Sequence, residues 1–324
     1  MRAVRCERYG DPDVLEVREL PDPVAGPGEV LVGIEAAGVN FPDVLMVADK
    51  YQLSIPVPFT PGAEFAGRVL AVGDGVTTFA PGDAVMGGSF LGGFANRIVL
   101  PEAMLAPVPE GLDMAGAAAF GLTYRTAYHS LVTTAAMKPG EWVVVLGAAG
   151  GVGSAAVDIA TRLGGKVIAA AATPDRLEVG AELGAVAGIA YGSEDLKQRI
   201  KDITGSGADV IIDPVGGVYA EQAIRAGAWG SRYVTVGFAD GAIPRIPMNL
   251  LLLKGVTLKG FDMRTLPEHQ PEALAAGEQA LAQLIAGGLR PHVSRTYALA
   301  EVPQALEAMR TRLVRGKIVI DTTR

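Results

Sequence analysis

The residues with the plainest chemistry lie at the end of an apolar run that stops in glycine. Val143, Val144, Val145 and Leu146 lead into Gly147, Ala148, Ala149, Gly150, Gly151, Val152 and Gly153, and residues 154–163 continue at helical spacing. The pattern reads as strand, tight turn and helix. A turn of this kind brings the backbone close to a pyrophosphate, and the free N–H groups at the positive end of the helix face the anion. The spacing Ala148-x-Gly150-x-x-Gly153 is a dinucleotide fingerprint with alanine in its first glycine position. A second apolar strand, 166–171, follows at the distance a βαβ unit requires, a context that a bare glycine triplet lacks. That strand ends at Ala171, where sheets that prefer NAD place an acid for the ribose 2′-hydroxyl. Without the acid, a repulsion against a 2′-phosphate is gone.

These residues need a sheet to hold them, and the chain from residue 142 onward supplies one. Expected strands at 142–146, 166–171, 186–190, 208–212, 232–236 and 256–260 alternate with expected helices at 153–163, 174–183, 194–203 and 217–227. Such alternation implies a mostly parallel sheet with helices on both faces. The first 120 residues have another texture. Short strands at 15–19, 29–35, 64–72, 83–86 and 94–100, cut by Pro, Gly and Asp, predict a barrel-like β unit. Residues 40–46 interrupt it as a helix start, with Pro42 in the first turn, and a loop holding Tyr51 follows. Small residues and helix formers over 114–131 predict a connecting helix. In the tail, helices at 270–287 and 302–311 accompany strands at 293–298 and 316–320, and both strands are expected to rejoin the first unit. The expected domains are a barrel over 1–122, a nucleotide-binding domain over 123–263, and a return to the barrel over 264–324.

With 324 residues the chain is long enough for two cores, and 49% hydrophobic residues with 42 glycines suit a compact α/β protein rather than a disordered one. A net charge of −7 argues against nucleic acid as the main partner, which needs a basic stripe. The one cysteine, Cys6, allows no intrachain disulfide and fits a reducing compartment. Residues 1–10 alternate and carry charges throughout, so they read as a strand and not a signal sequence. No run approaches the roughly 18 apolar residues of a membrane span. A soluble cytoplasmic protein is expected.

The stretch 61–76, opening Pro61-Gly62-Ala63-Glu64 and closing Gly73-Asp74-Gly75-Val76, is followed by Pro81-Gly82-Asp83-Ala84-Val85. Together with the turn at 148–153, residues 207–217 and residues 316–320, it makes the chain resemble the medium-chain dehydrogenase/reductase superfamily over nearly its whole length. Within that superfamily the chain is similar to the zinc-independent quinone oxidoreductase, or zeta-crystallin, branch. The resemblance implies an α/β protein in which a chaperonin-10-like β-barrel carries a doubly wound Rossmann sheet, with the active site in the cleft between them. Catalytic zinc takes three protein ligands and an open position. Zinc-dependent relatives have Gly-His-Glu where this chain has Gly62, Ala63 and Glu64, and cysteine where it has Asn40; no Cys-rich lobe is present. No metal is expected, His129, His269 and His292 are expected in ordinary surface or capping roles, and Glu64 in a structural hydrogen-bonding one.

Carried over position by position, the resemblance implies NADPH as cofactor. Thr173, Arg176 and Tyr191 match a small hydroxyl residue, a Lys and a Tyr around the 2′-phosphate, and Arg312 matches a basic position near the adenosine. Ala149, Gly150, Gly151 and Val152 are assigned to the diphosphate, Thr123 with Thr126 to the carboxamide, Phe238 and Met263 to the nicotinamide pocket, and Val215 and Phe261 to the cofactor. Asn40 is expected near the nicotinamide ribose, and Tyr51 near the substrate. Tyr51 also matches a tyrosine that related enoyl thioester reductases use as a donor to the substrate carbonyl. Hydride delivery to a carbon activated by a conjugated carbonyl calls for positioned donors rather than a deep nucleophile, and no hydrolase elbow or Cys/His pair competes.

The expected function is an NADPH-dependent quinone oxidoreductase acting on quinones or related α,β-unsaturated carbonyls. One alternative is a 2-enoyl thioester reductase, with Arg245, Lys254, Lys259 and Arg264 as a basic patch for a coenzyme A phosphate. The other is a non-catalytic NADPH-binding protein of the crystallin kind. Near Phe261 many relatives carry a bulky aromatic where this chain has Asp262 or Met263, so substrate size does not carry over. Residues 255–260 read as an apolar edge strand, and the resemblance implies that it pairs edge to edge with a second copy as in this superfamily, which makes a homodimer the expected assembly.

Overall fold

The computed structural model describes all 324 residues. In chain order its strands are β1 (Arg2–Cys6), β2 (Leu15–Glu19), β3 (Glu29–Gly38), β4 (Glu64–Val72), β5 (Ala84–Gly88), β6 (Arg97–Pro101), β7 (Leu105–Pro107) and β8 (Trp142–Leu146). There follow β9 (Lys166–Ala171), β10 (Ala187–Ala190), β11 (Ala208–Asp213), β12 (Gly227–Thr235), β13 (Thr257–Gly260), β14 (Val293–Ala298) and β15 (Lys317–Asp321). The helices are α1 (Phe41–Val47), α2 (Met114–Tyr128), α3 (Gly151–Arg162), α4 (Leu177–Glu182), α5 (Leu196–Thr204), α6 (Gly217–Ala226), α7 (Asn249–Lys254), α8 (Leu266–His269), α9 (Pro271–Ala286) and α10 (Val302–Arg310). None is long and apolar enough to cross a membrane.

The first compact unit comprises Met1–Leu122 and Arg290–Arg324. Its main sheet runs β14-β15-β3-β4-β5-β7, with β6 also on β3, and β1 and β2 form a separate antiparallel pair. The period-two alternation of β3 sends Val30, Val32 and Ile34 into the core, beside Phe65, Phe94 and Ile318. Two register shifts against β4 bend β3, as bulges do where a sheet must curve. The last strand closes on the end of β3, with Val319 opposite Gly38 and Ile320 opposite Ala37. The strand expected at 94–100 begins only at Arg97, because Phe94 and Ala95 are drawn to β1 instead.

The second unit is Thr123–Leu289, a parallel sheet in the order β10-β9-β8-β11-β12-β13. Val143 to Leu146 in β8 are completely buried, as strands covered on both faces must be. Helices α3 and α4 pack on β8 to β10, and α5 and α6 on β10 to β12. The return to the barrel comes at Arg290 rather than at residue 264. The reason is α9, which buries Gly277, Leu281 and Ile285 and packs Gly277 onto His129 inside the second unit. The connecting helix also differs from the expected form, since α2 passes into a six-residue π-helical turn, His129–Thr134. Helix α7 was not anticipated, and it buries only Leu250.

Candidate functional site

Chain reversal after β8 depends on Gly147, whose φ of +61° is a left-handed value that glycine adopts without steric cost. A side chain at Gly147 would press on Val215, so the turn and the loop after β11 are in close contact. Gly150 caps α3 with no side-chain hydrogen bond to the first turn, which leaves backbone N–H groups for an anion. A Cβ at Gly153 would collide with the Gly147 carbonyl oxygen, so this glycine sets how closely helix and strand approach.

At the ends of β9 and β10 the structure gathers four of the expected residues. Ala171 is buried, and its carbonyl accepts from the Tyr191 N–H at 2.9 Å. Thr173 begins a single turn, Pro174–Arg176, closed by Arg176 N–H to the Thr173 carbonyl at 3.2 Å. The Tyr191 ring leans on Tyr219 with centroids 4.2 Å apart.

The loops after β11 and β12 are fastened by Asp213. Its carboxylate accepts from the N–H of Val215 at 2.7 Å and of Gly216 at 2.8 Å, and from the Tyr233 hydroxyl. Burial pushes the Asp213 carboxyl and the Tyr233 phenol up. The Ala239 N–H reaches the Pro214 carbonyl and the Asp240 N–H the Val215 carbonyl, so Val215 and Phe238 sit on two loops tied together. After β13, Phe261 donates its N–H to the Thr235 carbonyl, and the half-buried Met263 follows two residues on. Thr123 and Thr126 are both buried on α2.

Behind Phe261 lies a residue that pattern reading misplaced. His129 has neither a surface nor a capping role: it is completely buried, stacked on Phe261 at 6.3 Å, with Nδ1 sharing a 2.8 Å hydrogen bond with Thr133 Oγ1. Burial holds its pKa below the ordinary value. The nearest signal in the sequence was Gly277, whose missing side chain makes room for the imidazole.

In the barrel unit a second constellation forms where β3 runs into α1. Lys317 Nζ donates to the Val39 carbonyl at 3.0 Å, Asn40 Oδ1 at 2.9 Å and Glu64 Oε1 at 2.6 Å. Asn40 Nδ2 also donates to Glu64 Oε1, at 2.9 Å, and the Leu122 N–H to Glu64 Oε2 at 2.7 Å. Glu64 thus has the structural hydrogen bonds expected of it. Asp43, wholly buried, accepts from the Asn40 N–H at 2.8 Å. Burial raises its pKa to about 7, with the Asn40 N–H and Lys317 opposing that rise and Glu64 adding to it. Tyr51 is half-buried beside Phe90, ring centroids 5.8 Å apart. Arg312 lies in the loop before β15 with a left-handed φ of +59°.

Residues 26–110 match the alcohol dehydrogenase GroES-like domain and residues 151–279 the zinc-binding dehydrogenase domain. The quinone oxidoreductase-like protein 2 homolog of Nematostella vectensis is 37% identical over 99% of this chain and 89% of its own length. The chain belongs to the medium-chain dehydrogenase/reductase family, among the quinone oxidoreductases. The Escherichia coli quinone oxidoreductase, solved in complex with NADPH, superposes with a TM-score of 0.91 at 28% identity, covering 99% of this chain and 100% of that one. The Thermus thermophilus enzyme, also solved with NADPH, has a TM-score of 0.86 at 33% identity and the same coverage.

Around Glu64 the side chains on hand are the Asn40 amide, the Asp43 carboxyl and the Lys317 ammonium. Asn40 and Ala63 stand where zinc-dependent members have cysteine and histidine, and Glu64 Oε1 is taken by the Lys317 ammonium. No three His, Cys, Asp or Glu side chains converge as a metal group. Of the four residues named for a coenzyme A phosphate, Arg264 is paired with Asp262; Lys254 and Lys259 each give one hydrogen bond to a carbonyl, of Gly227 and Thr134, and keep their charge, and Arg245 is exposed.

Proposed function

We propose that this quinone oxidoreductase family member is a cytoplasmic, metal-independent reductase that uses NADPH on quinones or related α,β-unsaturated carbonyls. The observation that carries the reading is the corner at the ends of β9 and β10, where Ala171 occupies the place of a repelling acid, the Tyr191 N–H bonds the Ala171 carbonyl, and Thr173 and Arg176 close the turn that follows. The NADPH complexes of the two bacterial relatives support it.

When bound, NADPH supplies the hydride. Ala149, Gly150, Gly151 and Val152 hold the diphosphate through the backbone, while Thr173, Arg176, Tyr191 and Arg312 serve the adenosine end. Thr123, Val215, Phe238, Phe261 and Met263 orient the nicotinamide. From the barrel unit, Asn40 meets the nicotinamide ribose. Tyr51 donates a hydrogen bond to the substrate carbonyl oxygen and steadies the charge that develops there.

Arg176→Ala tests the cofactor assignment. A charge-assisted hydrogen bond contributes about 1.5–3 kcal/mol, so the KM for NADPH should rise about tenfold or more while NADH use hardly changes. Equal losses with both cofactors would defeat the assignment. Following NADPH absorbance with a small quinone, an enone and an enoyl thioester tests the reaction. Oxidation with the first two is expected; tight binding with no oxidation of any would favour the crystallin-like alternative.

We also propose a homodimer through β13, a strand of exposed residues at the sheet edge. Trp229 and Leu252, each 84% exposed, lie on the neighbouring β12 and α7, and an unpaired edge beside apolar side chains suits a second copy. Light scattering should give twice the 33.5 kDa chain mass, and Trp229→Glu with Leu252→Glu should halve it. A wild-type monomer would end this proposal.

A further inference from the structure

We infer that Lys317 is a positioning residue for the cofactor: together with Glu64 it holds the Asn40 amide in the one orientation whose remaining valence accepts a hydrogen bond. This rests on the reading that Asn40 meets the nicotinamide ribose. Lys317 opens β15 and is 2% exposed, and its three ammonium protons go to Val39, Asn40 and Glu64. A carboxamide has two donor hydrogens and two acceptor lone pairs. On Asn40 one hydrogen goes to Glu64 Oε1, and the Gly38 carbonyl lies 3.4 Å from the same nitrogen. One lone pair of Oδ1 goes to Lys317.

What is left on Asn40 is a lone pair on Oδ1. That lone pair selects a ligand group that donates, such as a ribose hydroxyl, over a carbonyl or phosphate oxygen. A flipped amide would turn its nitrogen to an ammonium that can only donate and its oxygen to a carboxylate that can only accept. Neither contact would survive. The hold on the Val39 carbonyl also pins the backbone one residue before Asn40, where β3 gives way to α1. Lys317 therefore acts on the ligand through Asn40 and needs no contact of its own.

A double-mutant cycle on the full chain tests this, with the NADPH dissociation constant read by cofactor fluorescence for wild type, Lys317→Met, Asn40→Ala and the double variant. Lys317→Met should weaken binding about tenfold, the scale of one charge-assisted hydrogen bond, and should have no further effect once Asn40 is alanine. An equal loss in both backgrounds would show general damage to the barrel and overturn the inference, as would unchanged binding in Lys317→Met. Should Lys317→Met not fold, the same cycle with Lys317→Arg applies. A planar guanidinium cannot reproduce the three-way ammonium geometry, so a loss of about threefold, absent with Asn40→Ala, is expected. Wild-type affinity in Lys317→Arg would overturn the inference. Failure of the wild-type chain to bind NADPH would remove the functional reading itself, and this inference with it.

Discussion

In the nucleotide unit the groups proposed for the ligand are backbone N–H groups of the glycine turn at 147–153, whereas in the barrel unit the one proposed group, the Asn40 amide, is held by side chains from residues 64 and 317, with Asp43 on its backbone N–H. The first arrangement is neutral and owes its shape to missing side chains. The second buries an ammonium and a carboxylate at 2% and 4% exposure, with a second carboxyl beside them. The two regions should therefore fail differently: the turn should respond to added volume, and the barrel cluster to altered charge and to pH.

The largest effect is expected from Glu64→Ala, which leaves Lys317 buried without its counter-charge and the Leu122 N–H without an acceptor. Breaking a buried pair by removing one partner costs about 3–5 kcal/mol, and chemical denaturation would measure it. A loss below about 1 kcal/mol, the range of exposed pairs, would erase the contrast drawn here. Gly153→Val comes next. It drives a side chain into the Gly147 carbonyl oxygen and should cost about 1–3 kcal/mol by overpacking, together with NADPH binding. Should the variant keep wild-type affinity, the glycine would not be shaping a cradle.

A third effect, with no counterpart in the turn, concerns the titration of Asp43. An unfolded aspartate ionises near 3.9, while in the fold Asp43 does so at about 7. Between those values the folded state holds the extra proton, so this group's stabilisation is complete below about pH 4, declines as pH rises and is gone above about 7. The slope is at most ~1.4 kcal/mol per pH unit. Asp43→Asn keeps an acceptor for the Asn40 N–H but has no proton to lose. Melting temperatures at pH 5 and pH 8 should therefore differ less in the variant than in wild type; parallel behaviour would show that Asp43 is ionised throughout.

The parts of the molecule legible beforehand are those whose cause is local. β8, the glycine turn and α3 announce themselves because the strand is apolar on both faces and the turn needs residues without side chains. Thr173, Arg176 and Tyr191 follow the ends of β9 and β10, strands that the alternation sets, and their proposed role comes from the family resemblance. His129 and Lys317 escaped for the opposite reason. A histidine in a run of helix formers looks ordinary until Phe261 and Gly277 close over it. A lysine heading an apolar strand looks like an edge residue until Glu64, 253 positions earlier, reaches it. The chain returns at 290 and not at 264 because the apolar face of α9 is buried in the second unit, a choice of partner that the helix pattern alone does not carry.

Residue order alone fixes the two kinds of unit and the nucleotide-type turn, since strand period, helix period and glycine spacing act over a few residues, and the motifs at 61–85, 148–153, 207–217 and 316–320 carry the family resemblance. Only the tertiary structure decided that Asn40, Asp43, Glu64 and Lys317 form one buried cluster and that His129 backs Phe261. Burying a charge or an imidazole is tolerable only when its partners arrive with it, and those partners come from segments that meet when the chain has folded.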